Sequence, residues 1–240
     1  MIALFTDYGL QGPYLGQVQA VLHRHLPNEK VINLLADAPR NNPKASAYLL
    51  AAFSRACPAQ PGTIFFSVVD PGVGSFQDQP VVIKANGQWY VGPDNGLFDI
   101  VCRHSTDVQC WRIDWRPETL SSSFHGRDLY APATATIRNN ETPGESITWK
   151  DRHGWPDDLE EVVYIDHFGN CMTGIRAEML DTTRAIQVNG STVSYADTFS
   201  SAPEGTAFWY GNSQGLIEIA TNGGSAAEQL NLETGTELFL

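Results

Sequence analysis

The stretch Ile64–Ser75, IFFSVVDPGVGS, constrains the fold more than any other part of the chain. From Ile64 to Val69 only Ser67 is polar. A short run that is apolar on both faces predicts a strand in the middle of a parallel sheet. Asp70 ends the run, and Pro71 and Gly72 follow at once. Proline and glycine turn the backbone where the strand stops. In open α/β sheets, ligands lie beyond the carboxyl ends of the strands. Asp70 is therefore either the cap of an ordinary Asp-Pro-Gly turn or a carboxylate that meets a ligand.

A second acid repeats this placement. Ile2–Thr6 predicts a short buried strand with Asp7 at its end, followed by a loop containing Gly9 and Gly12. Met1 leads straight into that strand without a basic segment or a long apolar core, so a first strand is expected rather than a signal peptide. Tyr14–Leu26 carries helical apolar spacing, with Pro13 at its start and Pro27 at its end. Asp7 thus also sits between a strand and a helix. It reads as a loop cap or as half of a site shared with Asp70.

The remaining pattern alternates. Val31–Leu35 predicts a strand, Ala45–Ala56 a helix closed by Cys57-Pro58, and Val108–Ile113 another strand. Gln79–Ala85 and Gln88–Val91 flank Asn86-Gly87, a type I′ hairpin signal. Leu97–Arg103 continues as a short helix. His125 lies in the loop Phe124-His125-Gly126-Arg127-Asp128, before a small-residue helix beginning at Leu129. Histidine suits proton transfer near neutral pH, although a lone histidine is equally at home as a structural residue. Alternating strands and helices predict a three-layer α/β/α domain over residues 1–140. Residues 141–160 are polar, with Pro143 and Gly154, and read as a linker. Over 161–240 short strand-like pieces and the turn pairs Asn189-Gly190 and Asn222-Gly223 predict an all-β barrel or sandwich.

Charge and composition narrow the partners. The net charge of −12 argues against nucleic acid, which needs clustered Lys and Arg. No apolar run reaches the ~18 residues of a membrane span. The four cysteines show no CxxC spacing, so free thiols in a reducing cytoplasm are expected. No cluster has metal-ligand spacing, so no metal is expected.

The C-terminal half adds aromatics beside amides and hydroxyls, a combination that suits a flat heteroaromatic ligand such as adenine. They occur in Tyr164–Asn170 (YIDHFGN) and in Phe208–Ser213 (FWYGNS), and the loop Thr221–Gly224 adds free backbone donors and acceptors. The alternative is a barrel core with ordinary turns.

Taken in order, FTDYG, VVDPGVGS, VGPDNGLF, FHGRD-x-x-AP, YIDHFGN and YGNS-x-GL-x-E-x-A-x-N run from residue 3 to the C-terminus. This set resembles the S-adenosyl-L-methionine (SAM) hydroxide adenosyltransferase family, the SAM hydrolases, relatives of fluorinase and chlorinase. The resemblance implies an N-terminal α/β domain, a C-terminal β-barrel and a homotrimer with active sites shared between subunits. It implies hydrolysis of SAM to adenosine and L-methionine by attack at ribose C5′, with SAM as substrate and no cofactor. Asp7 matches the ribose-gripping acid, Asp70 the acid that replaces a tyrosine of the halogenating relatives, and His125 the family histidine. Gly126 stands where fluorinase has a halide-binding serine, which disfavours fluoride chemistry, and Asp70 disfavours a halide-dependent adenosyltransferase. Adenine contacts are expected from Phe168, Asn170, Tyr210, Ser213, Glu218 and the backbone around Thr221–Gly223, with Asp166, Thr221 and Asn222 counted among the substrate-binding residues. One position departs. Where the family carries an arginine seven residues after the acid, this chain has Gln77, which hydrogen-bonds but carries no charge. Three expectations follow: slower hydrolysis, a cation supplied from elsewhere with Arg127 as candidate, or a protein that binds SAM or adenosine with little turnover.

Overall fold

The first sheet grows from the apolar runs. β1 (Ile2–Thr6) and β2 (Val31–Leu35) are joined through α1 (Tyr14–His25). α2 (Pro43–Ala56) precedes β3 (Ile64–Val68). β4 (Pro80–Ala85) and β5 (Gln88–Pro93) form the hairpin, followed by α3 (Asp99–Arg103) and β6 (Val108–Arg112). A π-helical turn, Gly126–Tyr130, runs into α4 (Ala131–Arg138), and β7 (Glu145–Ile147) follows. The computed structural model describes residues 1–57, 61–75 and 78–240. The sequence-based helix stop at Pro58 lies outside them.

Strand order is β2-β1-β3-β5-β4-β6-β7. β3 pairs in parallel with β1 and with β5, so both of its edges are covered and all five of its residues are buried. This is the environment its two-sided apolar run demands. Alternate residues go to opposite faces. Ile64, Phe66 and Val68 join one apolar cluster with Val18 and Leu22 of α1 and Ala133 and Ile137 of α4. Phe65 stacks on Tyr90 of β5 at 5.2 Å, and Tyr90 meets Phe98 at 6.1 Å, beside the start of α3. The Asn86-Gly87 turn has left-handed φ at both positions (48° and 77°), as a type I′ turn requires.

The stretch read as a linker is not structureless. Glu145–Ile147 forms β7 and pairs antiparallel with β6, extending the first sheet. Its short, polar sequence hides it, because an edge strand needs no apolar face. By contacts, the chain divides into Met1–Leu50 with Pro58–Gly154, and Ala51–Cys57 with Trp155–Leu240.

The second unit holds β8 (Leu159–Ile165), β9 (Cys171–Arg176), β10 (Ile186–Val188), β11 (Ser191–Tyr195), β12 (Ala207–Gly211) and β13 (Leu216–Thr221). α5 (Ala226–Leu230) was not foreseen; Ser225 caps it by accepting from the Glu228 N–H. Strand order is β10-β11-β12-β13-β9-β8. Val162, Cys171, Trp209, Ile217 and Ile219 lie in its core, and Trp209 Nε1 donates to the Arg184 carbonyl at 3.0 Å. Glu237–Leu240, within the stretch expected to hold short strands, makes single bridges instead: Glu237 to Glu161 of β8 and Phe239 to Gln187 of β10. The chain end therefore touches both edge strands. The protein is α/β with two sheet-rich units. All four cysteines are free, and no helix among the described residues is long and apolar enough to cross a membrane.

Phe66 is fully buried at the junction of β3 with α1 and α4. Phe66→Ala is expected to cost about 3–5 kcal/mol, read as a lower urea midpoint with the slope unchanged.

Candidate functional site

Parallel register builds the first site. Thr6 of β1 pairs with Val68 of β3, so both strands end level. Asp7 follows Thr6 directly and Asp70 follows one residue beyond Val69, which places both acids on the same carboxyl edge. A cavity of about 400 Å³ opens there, and Asp7, Tyr8, Asp70, Phe124 and His125 line it. Three rings form an aromatic wall: Tyr8, Tyr14 and Phe124 meet at 5.8, 5.8 and 5.2 Å.

The electrostatics move the two acids and the histidine in opposite directions. Asp7 accepts from the Asn41 N–H at 3.0 Å. Burial raises its pKa, against that hydrogen bond and the Arg40 charge. Asp70 is pushed up to about 6, first by burial and then by the neighbouring Asp78 carboxylate, with the Gly72 N–H opposing. His125 moves the other way. Burial lowers its pKa and the Arg116 charge lowers it further, while Asp128 pulls it up. An imidazole so placed is neutral at neutral pH and free to accept a proton.

His125 precedes the π-helical turn Gly126–Tyr130, a backbone form found often at functional sites. Glycine is needed at 126 for close approach: a Cβ there would collide with the Tyr8 hydroxyl. Arg127, the candidate replacement cation, is engaged elsewhere. Its Nε and Nη2 fork onto Asp128 at 2.6 and 2.9 Å, and its Nη1 donates to Gln17 at 2.7 Å. Sequence proximity to His125 did not carry its charge to the acids, because a closer carboxylate captured it. Gln77 lies outside the described residues.

The second unit has its own cavity, of about 670 Å³. Asp166, Phe168, Asn170, Tyr210, Ser213, Glu218 and Thr221 all line it, together with Phe199, Met172 and Asn212. Asp166 staples the β8–β9 turn: Oδ1 accepts from the backbones of Phe168 and Asn170 at 2.8 and 2.9 Å, and Oδ2 accepts from Asn170 Nδ2 at 3.0 Å. A carboxylate can only accept, so the Asn170 amide must turn its nitrogen to Asp166, leaving its oxygen for another donor. Glu218 is buried and accepts from Tyr210 Oη and from Asn212 Nδ2. Burial raises its pKa against those two hydrogen bonds. Phe168 projects 73% exposed. Thr221 Oγ1 donates to Gln229 at 2.9 Å. Asn222 does not line the cavity; its amide donates to the Ala202 carbonyl at 2.8 Å and holds the loop.

The structure thus gathers Asp7, Asp70 and His125 at one cavity and the aromatic and amide residues at another. Sequence reasoning passed over the ring wall of Tyr8, Tyr14 and Phe124, although Tyr8 and Phe124 directly adjoin Asp7 and His125. Phe199 and Met172 carried no local signal, since only packing brings them to Tyr210.

The crowding at Gly126 can be measured. Gly126→Ala is expected to destabilise the fold by about 1–3 kcal/mol, as an overpacking change. Gly16→Ala in α1, where an added Cβ meets nothing within 4 Å, is expected to stabilise by about 0.5–1 kcal/mol. Denaturant titration of the two variants reads both.

Comparison with known proteins covers both units. The SAM hydroxide adenosyltransferase N-terminal domain matches residues 2–147 and the corresponding C-terminal domain residues 160–239. A Thermus thermophilus protein named (R)-S-adenosyl-L-methionine hydrolase is 32% identical over 100% of this chain and 98% of its own. A Salinispora arenicola protein of the same name is 30% identical over 99% and 96%. Among solved structures, an uncharacterized conserved protein from Thermotoga maritima is similar at a TM-score of 0.88 with 27% identity, covering 99% of this chain and 98% of that one. A conserved hypothetical protein from Thermus thermophilus gives a TM-score of 0.78 with 30% identity over 99% and 97%. With both domains matched in order, on the residues that build both cavities, the chain belongs to the SAM hydroxide adenosyltransferase family.

Proposed function

We propose that the protein hydrolyses SAM to adenosine and L-methionine. The observation that carries this reading is the meeting of Asp7, Asp70 and neutral His125 at one cavity on the carboxyl edge of the first sheet. The sulfonium is already a good leaving group. The enzyme has only to hold a water in line with C5′ and exclude competitors. The water oxygen bonds to C5′ as the C5′–S bond breaks, and that electron pair stays on the methionine sulfur. The proton lost by water passes to Asp70 or His125. Asp7 grips the ribose hydroxyls as an acceptor. Adenine binds in the second unit's cavity against Phe168 and Tyr210, with the Asn170 oxygen accepting from its amine. The relatives' shared name adds the (R)-sulfonium as the substrate epimer.

The finer architecture belongs to the same proposal. A three-layer α/β/α first domain is supported by α1 and α4 on one face of the sheet and Phe98 on the other. A C-terminal barrel is supported by bridges from the chain end to both edge strands. A homotrimer, each active site joining the first domain of one subunit to the second of the next, is supported by exposed apolar residues beside the cavities, Tyr14 at the first and Phe168 at the second, and a cytoplasmic location by the four free cysteines. No metal or cofactor is invoked; among the described residues no group of three His, Cys, Asp or Glu is placed to hold a metal ion.

Gln77, standing where the family carries an arginine, favours a second reading, a SAM binder of low turnover. Asp70 Oδ1 is buried without a hydrogen-bond partner among the described residues. Incubation of the purified protein with each SAM epimer, with and without chloride and with EDTA, separates the readings by chromatography. Adenosine and methionine from the (R) epimer, unaffected by chloride or EDTA, are expected. A chlorinated nucleoside, or bound SAM released intact, overturns hydrolysis. Asn170→Ala is expected to weaken adenosine binding about tenfold by calorimetry, the loss of one hydrogen bond to the ligand.

A further inference from the structure

A second chamber of about 410 Å³ adjoins the first cavity, and Asp70 and His125 line both. Asp78, Arg116 and Tyr130 line only the second. The carboxylates of Asp70 and Asp78 converge over Gly72. A Cβ built there would stand 2.8 Å from Asp78 Oδ2 and 3.8 Å from Asp70 Oδ1. Any side chain at 72 would therefore wedge into the space beside both acids. Asp70 Oδ1 is the buried oxygen without a partner among the described residues.

We propose that Asp78 is a positioning residue of the hydrolytic centre: its carboxylate, set beside that of Asp70 over Gly72, makes Asp70 the group that takes the proton from the attacking water. The inference rests on the hydrolase reading. Two carboxylates at close range resist ionising together, so the proton on one is held to higher pH. After burial, Asp78 is the largest influence holding Asp70 near 6, and Asp7 adds to it. A carboxylate in that range is a stronger base than an ordinary aspartate, yet still largely ionised at neutral pH.

The other groups facing the pair do not neutralise it. Tyr8, half-buried, and Tyr130, buried, are phenols whose pKa values are raised, so they stay protonated. Arg40 acts on Asp7, and Arg116 on His125 and Tyr130. Arg112, which also lines the chamber, pairs with Glu145. Among the described residues no guanidinium pairs with Asp70 or Asp78. The hydrolytic step balances as before: oxygen bonds to C5′, the sulfur keeps the electron pair, and the proton moves to Asp70.

The test is Asp78→Asn on the full-length protein, with two readouts. One is the pH profile of kcat/KM for SAM hydrolysis. The other is the carbon-13 carboxyl titration of Asp70 by NMR, assigned with Asp70→Asn. Removing the like charge lowers the Asp70 pKa, so the acid limb and the titration are both expected to move to lower pH, by on the order of one unit. Asp78→Glu, which keeps the charge, is expected to leave both near their original positions. A rate reduced equally at every pH with an unmoved titration marks a merely structural role and overturns the proposal. Wild-type protein that cleaves no SAM overturns the hydrolase reading and the Asp78 role together. SAM cleavage with an unshifted Asp70 overturns the Asp78 role alone.

Discussion

The parallel pairing of β1 with β3 is the constraint on which the first site depends. Thr6 and Val68 end level, so the chain leaves both strands on the same edge. Two acids far apart in the sequence, Asp7 and Asp70, thereby share one cavity. A one-residue slip would reverse every side chain on β3 and place Phe66 on the wrong face. The pairing is specified because β3 is buried on both faces: Phe65 must find Tyr90, and Phe66 must find α1 and α4. Packing of the strand thus sets the geometry of the acids beyond it.

At the second cavity, hydrogen-bonded turns do the equivalent work. Asp166 spends its acceptors on the β8–β9 turn and on the Asn170 amide nitrogen. Asn212 accepts from the backbones of Gln214 and Leu216, both at 3.0 Å, and donates to Glu218 at 2.8 Å. These polar side chains first hold the loops and only then present an edge to the cavity. A motif rich in Asp and Asn can therefore be a site by way of being a well-satisfied turn, since such groups cannot be left unpaired when buried.

The charge around Asp70 shows why nearness in sequence is a poor guide to electrostatics. Arg127 lies close to His125 in the chain, yet its guanidinium is taken by Asp128 and Gln17. Arg116, which lies in no quoted motif, is the cation that acts on His125. Long flexible side chains go to the nearest good acceptor in space.

Much was legible from residues alone. The apolar run of β3, the helical spacing of α1, the hairpin at Asn86-Gly87 and the acids after two strands each follow from a local rule of period, turn or breaker. Family membership was legible too, because six ordered motifs run through both matched domains. β7 and α5 escaped, being short and supported by tertiary pairing or a cap rather than by a pattern. Only the folded chain decided which aromatic rings wall the first cavity and that Asn222 holds a loop instead of lining the second. It also decided that Asp78 faces Asp70 over Gly72. These are distances between side chains from different elements. They follow from packing and register, which a linear pattern of residue types does not contain.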